Sequence, residues 1–364
     1  MTGSGWVIGG GKRHALTLGR VNQLRINPMQ NVKPFPELYW FATNKCNLRC
    51  IYCCYDSKPE GSDELSTAEA KELIRQVAEF SKYFVIIGGE PLLREDLFEL
   101  LDYARSLSLS CSIITKGTSG NRKWVEEMAG RGVKVDIALD ALTPEVCDLL
   151  SQSERTYEKT RETIDSCLSA GILQGITSIL MKPNAKETLD LLDFAAGLGV
   201  EGCWMSLRPI GRGVNVYREL ALTGVEYEEY LHQFYHRADE IKKKTGLSFY
   251  VYDPIYSRVL CQHGNDTYKI CRIGNYLSVA ANGDVIPCLF AGLKLGNIRE
   301  KRLEEIWSEV ISNRFFKEIH DPNRLKGACG ECTYRFVCGG CRARAYQLTG
   351  DWFASDPACS YTSL

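Results

Sequence analysis

Three cysteines, Cys46, Cys50 and Cys53, fall within the eight residues Cys46-Asn47-Leu48-Arg49-Cys50-Ile51-Tyr52-Cys53, a spacing of C-x3-C-x2-C. A cubane of four irons and four sulfides normally takes four thiolates, one for each iron. Three thiolates leave one iron without a protein ligand. That iron can accept an amine and a carboxylate from a small molecule and pass an electron into it. The plain alternative is zinc. Zinc knuckles favour paired C-x2-C, however, and three cysteines in one loop make an incomplete structural zinc site. Cys54 follows directly, outside the spacing, and reads as a small packed residue.

Further on stands Gly88-Gly89-Glu90-Pro91. Two glycines let a backbone approach a ligand closely, and a carboxylate accepts hydrogen bonds from an ammonium. The cysteine loop, with Tyr52 inside it, and this tetrapeptide together resemble the signatures of the radical S-adenosylmethionine (SAM) superfamily. The resemblance implies a [4Fe–4S] cluster on Cys46, Cys50 and Cys53 that binds SAM and cleaves it reductively to methionine and a 5′-deoxyadenosyl radical. These cysteines are therefore the expected catalytic centre. It also implies cofactor contacts from Tyr52, Gly88, Gly89, Glu90, Thr115, Asp140 and Arg208. Asp140 is equally suited to capping a helix, and Arg208 and Arg212 to lying solvated at the surface.

A second field of cysteines lies downstream. Cys271 is followed by Gly283 and Cys288, then by Cys329-x2-Cys332-x5-Cys338-x2-Cys341, and finally by Cys359. With Cys338-Gly-Gly-Cys341-Arg-Ala-Arg-Ala-Tyr and Asp356-Pro-Ala-Cys359, this resembles the SPASM extension, which holds auxiliary iron–sulfur clusters. The spacing before Cys341 is x2 where that family usually has x3. The resemblance assigns Cys271, Cys288 and Cys341 to a first auxiliary [4Fe–4S] cluster, with Cys261 the best candidate for its fourth ligand. It assigns Cys329, Cys332, Cys338 and Cys359 to a second. Taken alone, two C-x2-C pairs could instead form a tetrahedral zinc site. Cys54, Cys111, Cys147, Cys167 and Cys203 are expected in the core. His232 and His236 share a helix face, and a solvated face is their default reading.

These residues need a scaffold. The expected order is a strand at 37–43, a helix opened by the capping box Ser66-Thr-Ala-Glu69, a strand at 83–87, a helix at 95–108 and a strand at 111–115. A helix at 121–130, a strand at 133–139, a helix at 156–170, a strand at 172–180, a helix at 185–198 and a strand near 202–208 follow. Six strands alternating with helices predict an α/β fold, a partial (βα)6 TIM-type barrel with a C-terminal loop-rich, cysteine-rich domain. The special residues recur just after successive strands, where such folds place their chemistry. The expected organisation is an N-terminal arm at 1–35, a barrel at 36–215, a bridging helical segment at 216–250 and an auxiliary-cluster domain at 251–364.

Sixteen cysteines could signal disulfides. The chain shows no signal-peptide pattern, and 364 residues can build a core without staples, so reduced, metal-holding thiols in the cytoplasm are expected. A net charge of −1 gives no ground for bulk binding of nucleic acid, and no apolar run approaches a membrane span. The expected function is radical modification of a substrate in cofactor, tetrapyrrole or natural-product biosynthesis. Flavodoxin or ferredoxin is the expected electron donor, and the substrate a small molecule or a peptide. Maturation of a ribosomally made peptide is the alternative. A zinc-stabilised binding protein and a non-catalytic iron–sulfur electron carrier are the readings from other classes.

Overall fold

The structure, a computed structural model, describes residues 38–58, 63–265, 271, 273–274 and 276–362. The expected arm at 1–35 lies outside them. The chain alternates β1 (Leu38–Phe41), α1 (Thr67–Phe80), β2 (Tyr83–Ile87), α2 (Leu97–Ser106), β3 (Ser110–Thr115), α3 (Arg122–Gly130) and β4 (Lys134–Ala138). Helices α4 (Pro144–Ser151) and α5 (Thr156–Ser169) precede β5 (Leu173–Leu180), and α6 (Ala185–Gly197) precedes β6 (Glu201–Ser206). Beyond them come α7 (Gly213–Leu220), α8 (Gly224–Thr245), β7 (Phe249–Val251) and α9 (Pro254–Gln262). The remainder holds β8 (Leu277–Val279), β9 (Asp284–Ile286), β10 (Gly296–Asn297), α10 (Leu303–Ser312), α11 (Arg314–Glu318), α12 (Gly327–Glu331) and α13 (Arg342–Thr349).

Local chemistry explains the helix starts. The Ser66 hydroxyl accepts from the Glu69 N–H while the Glu69 carboxylate accepts from the Ser66 N–H, closing the expected capping box of α1. Thr223 and Glu226 do the same for α8, and Gly246 ends that helix with φ of +78°. Strand β1 is buried along its whole length and β5 through its middle, as central parallel strands are. Trp40 of β1 stacks on Phe84 of β2 within a core that continues to β6.

The strands form one sheet in the order β10-β9-β8-β1-β2-β3-β4-β5-β6-β7. Strands β1 to β7 pair in parallel, with Trp40 opposite Ile86 and Thr115 opposite Ile137. Strand β8 also runs parallel to β1, while β9 and β10 turn back antiparallel. The sheet is thus wider than the six strands expected from the sequence. The added strands span two or three residues each, too few to show alternation. Residue 250 lies within β7, and segments on both sides of it contribute to the sheet. The short helix α4 also escaped the sequence pattern, and it proves to matter for the cysteine loop. Among the described residues, no helix is long and apolar enough to cross a membrane.

Candidate active site

The cysteine loop leaves the end of β1 and is stitched down from several sides. The Cys46 N–H donates to Lys58 O at 2.8 Å, closing the loop on itself. The Arg49 and Ile51 N–H groups donate to Ser151 O and Leu150 O, the last carbonyls of α4. From the far side of the barrel, Arg212 donates from Nε to Cys50 O (2.9 Å) and from Nη1 to Ser57 O (2.8 Å) and Asp56 (2.9 Å). Its own N–H donates to Cys53 O at 2.9 Å. Gly211, at φ +57°, leaves room for this: a Cβ there would lie 2.4 Å from Cys53 O.

Gly88-Gly89-Glu90 docks on the same loop. The Gly89 N–H donates to Thr43 O and the Glu90 N–H to Lys45 O. A Cβ on Gly89 would sit 2.1 Å from Lys45 O, so only glycine permits this approach. Glu90 is 1% exposed, and the Thr115 hydroxyl lies 2.7 and 2.8 Å from its two oxygens. Burial pushes its carboxyl up to about 7, against the pull of Thr115 and the Leu92 N–H.

Asp140, at the end of β4, accepts from the Tyr52 hydroxyl, from Lys116 Nζ and from the Ile179 N–H. Lys116 Nζ also reaches the Tyr52 hydroxyl at 3.1 Å. Burial opposes the charge of Lys116, yet Asp140 and Cys50 hold its pKa above the ordinary value. Lys116 had no motif to announce it; its only signal was its place directly after Thr115. Arg208 is 4% exposed and engaged by Asp253 (2.7 Å), Ser206 (2.5 Å) and the Tyr252 carbonyl (3.2 Å).

The downstream cysteines form two groups. Cys271 and Cys288, with Cys54, pack against Ile273, Phe290, Ala291, Ile319, Cys341 and Ala343. Cys261 lies in the last turn of α9 near His263, which stacks on Tyr235 and lies 3.1 Å from His232. Cys329, Cys332, Cys338 and Cys359 line one cavity. Backbone N–H groups aim at three of these sulfurs: Asp356 at Cys329 (3.4 Å), Tyr334 at Cys332 (3.4 Å) and Gly340 at Cys338 (3.3 Å). Arg258, 1% exposed, aims Nη1 at Cys359 Sγ (3.5 Å). Its buried Nε has no hydrogen-bond partner in the protein.

This donor chemistry fits iron–sulfur clusters. All sixteen cysteines are free thiols. Burial pushes Cys46 and Cys288 up to about 12, so thiolates there require bound positive charge. Among the described residues, no three His, Cys, Asp or Glu side chains are grouped to hold a single metal ion. Cys147, Cys167 and Cys203 are buried, and Cys111 is half-buried.

Residues 40–195 match the family described as the radical SAM superfamily, and residues 271–333 match an iron–sulfur cluster-binding domain, SPASM. The chain is 33% identical over 343 residues to the AdoMet-dependent heme synthase of Methanosarcina barkeri, covering 88% of this chain and 95% of that protein. It is 28% identical to mycofactocin maturase MftC of Mycobacterium ulcerans, covering 88% of this chain and 87% of that protein. Its fold is similar to that of Streptococcus suis SuiB crystallised with the precursor peptide SuiA. There the TM-score is 0.71 at 18% identity, over 94% of this chain and 86% of SuiB.

Proposed function

Because this chain belongs to the radical SAM superfamily and carries a SPASM iron–sulfur domain, we propose that it modifies a tetrapyrrole or a related cofactor precursor. The observation that carries this reading is the 33% identity, spread over 88% of the chain, to a heme synthase. When bound, the clusters and SAM supply an electron and a 5′-deoxyadenosyl radical that takes a hydrogen from the substrate.

The chain's own residues do the positioning. Cys46, Cys50 and Cys53 would hold the SAM-binding cluster with three thiolates. Gly88 and Gly89 bring their backbone close to that of the cysteine loop, and Glu90, steadied by Thr115, would accept from the methionine ammonium. Tyr52, Lys116 and Asp140 close the floor beside Cys50 as one hydrogen-bonded unit. Arg208 is held by Asp253 and Ser206 and ties the end of β6 to the start of α9. Cys271, Cys288 and Cys341 would hold the first auxiliary cluster, and Cys329, Cys332, Cys338 and Cys359 the second. We place electron delivery with a flavodoxin or ferredoxin, and the protein in the cytoplasm.

The test is anaerobic incubation of the reconstituted enzyme with SAM, dithionite and candidate tetrapyrroles, read by mass spectrometry. A mass change in a tetrapyrrole that depends on SAM is expected. Formation of 5′-deoxyadenosine without any such change would overturn the substrate class and leave the radical chemistry standing. The relation to a maturase favours a second reading, modification of a ribosomally made peptide. A short precursor gene beside this one, whose peptide gains or loses mass in the same assay, would establish it.

A further inference from the structure

The cavity lined by Cys329, Cys332, Cys338 and Cys359 carries more positive charge than ligation requires. Arg258 comes from α9 and is almost wholly buried. Its Nη1 points at Cys359 Sγ at 3.5 Å, its Nη2 meets Ser360 Oγ (3.3 Å) and Glu228 Oε1 (2.9 Å), and its Nε is left without a partner. Arg342 opens α13 and is 2% exposed. Backbone carbonyls of Trp352, Ala354 and Gly340 hold its guanidinium, and its Nη2 lies 3.9 Å from Cys329 Sγ.

Burying a charge is costly unless an opposite charge meets it. Glu228 is 19% exposed and meets only one edge of Arg258. The Arg342 guanidinium meets neutral carbonyls and a sulfur. A cluster ligated by four thiolates would supply the anion that Arg342 lacks and that Glu228 supplies to Arg258 along one edge only. The benefit is mutual. Positive charge and N–H donors at the sulfurs stabilise the more negative, reduced state of such a cluster and raise its potential. With Cys329, Cys332 and Cys338 each receiving a backbone N–H and Cys359 receiving Arg258, every sulfur of the group has a donor.

We infer that Arg258 and Arg342 tune this auxiliary cluster, raising its reduction potential so that it accepts an electron readily. The inference rests on the proposed assignment of a cluster to these four cysteines. Both arginines are positioning residues for electron flow and touch no reacting atom.

The test is a redox titration of the anaerobically reconstituted full-length enzyme, followed by electron paramagnetic resonance. The signal of this site is identified by its loss in Cys332→Ala. In Arg258→Gln and Arg342→Gln the midpoint should fall. A tenfold change in the oxidised-to-reduced ratio at fixed potential corresponds to about 59 mV for a one-electron couple. Arg258→Lys should restore most of the Arg258 effect. Glu228→Gln, which removes the carboxylate that offsets Arg258, should shift the midpoint upward. That opposite sign is not produced by loosened packing, and it keeps the inference testable if the arginine variants lose iron. Midpoints unchanged in iron-replete Arg258→Gln, or a Glu228→Gln midpoint that fails to rise, would overturn the inference. A wild-type enzyme with no signal sensitive to Cys332→Ala would overturn the cluster assignment beneath it.

Discussion

Arg344 and Asp253 meet at 2.8 Å with neither side chain exposed to solvent. Arg344 belongs to α13, which follows Cys341, and Asp253 caps α9 just after β7. The same guanidinium binds both oxygens of Asp356, at 2.7 and 2.6 Å, and Asp253 also holds Arg208 at the end of β6. Asp356 in turn accepts from the Cys341 N–H at 2.7 Å. One buried chain of charge therefore joins the sixth barrel strand to the backbone of Cys341.

Replacing Arg344 by Met should be severely destabilising, because it leaves the buried Asp356 without its ion-pair partner and Asp253 with Arg208 alone. Breaking one side of a buried pair typically costs about 3–5 kcal/mol. Chemical denaturation should show that loss. Burial opposes ionisation of Asp253, but Arg344 and Arg208 hold its carboxyl far below the usual range. A depressed carboxyl pKa contributes stability that is complete above the unfolded value and lost only as pH falls through the folded one. The contribution of this network should thus stay constant from mildly acidic to alkaline pH and disappear only in strong acid.

Glu90 has the opposite sign. Its folded pKa of about 7 lies above that of an unfolded glutamate, so the folded chain binds the extra proton. Its effect on stability should be absent below the unfolded value and grow unfavourable as pH rises toward 7, reaching about 3 kcal/mol for the cofactor-free protein. In Glu90→Gln the dependence of unfolding free energy on pH across this window should flatten. SAM binding, followed by the change in cluster spectrum, should weaken in the same variant.

Gly89→Ala should cost the enzyme its N-terminal cluster. The added methyl would lie 2.1 Å from Lys45 O and 2.7 Å from Lys45 C, both backbone atoms of the cysteine loop. Iron analysis should find about four fewer irons per chain, with the auxiliary signals intact. A full iron complement and normal SAM cleavage would contradict the packing described here.

Arg212→Lys should weaken cluster retention although charge is preserved. An ammonium cannot reproduce the fork that reaches Cys50 O, Ser57 O and Asp56 together. Loss of hydrogen bonds from a charged donor typically costs about 1.5–3 kcal/mol. The readout is faster iron loss to a chelator, with the rate for Arg208→Lys as a control on a different network.

The chemistry was legible in the sequence because it is encoded locally. Cysteine spacings, the double glycine of Gly88-Gly89-Glu90 and the cap Ser66 act over a handful of residues, and covalent spacing preserves them. Helix and strand periods likewise placed β1 to β6 within a few residues of where they lie. Contacts distant in sequence left no such trace. Arg212 grips Cys50 across 162 positions, and Arg344 reaches Asp253 across 91. Which arginine faces a sulfur, a carboxylate or a carbonyl depends on where the whole sheet sets each strand end. The sequence by itself determined which donors exist and in what order. The tertiary structure alone decided which charges share a buried space, because burial and ion pairing arise only once remote segments exclude water together.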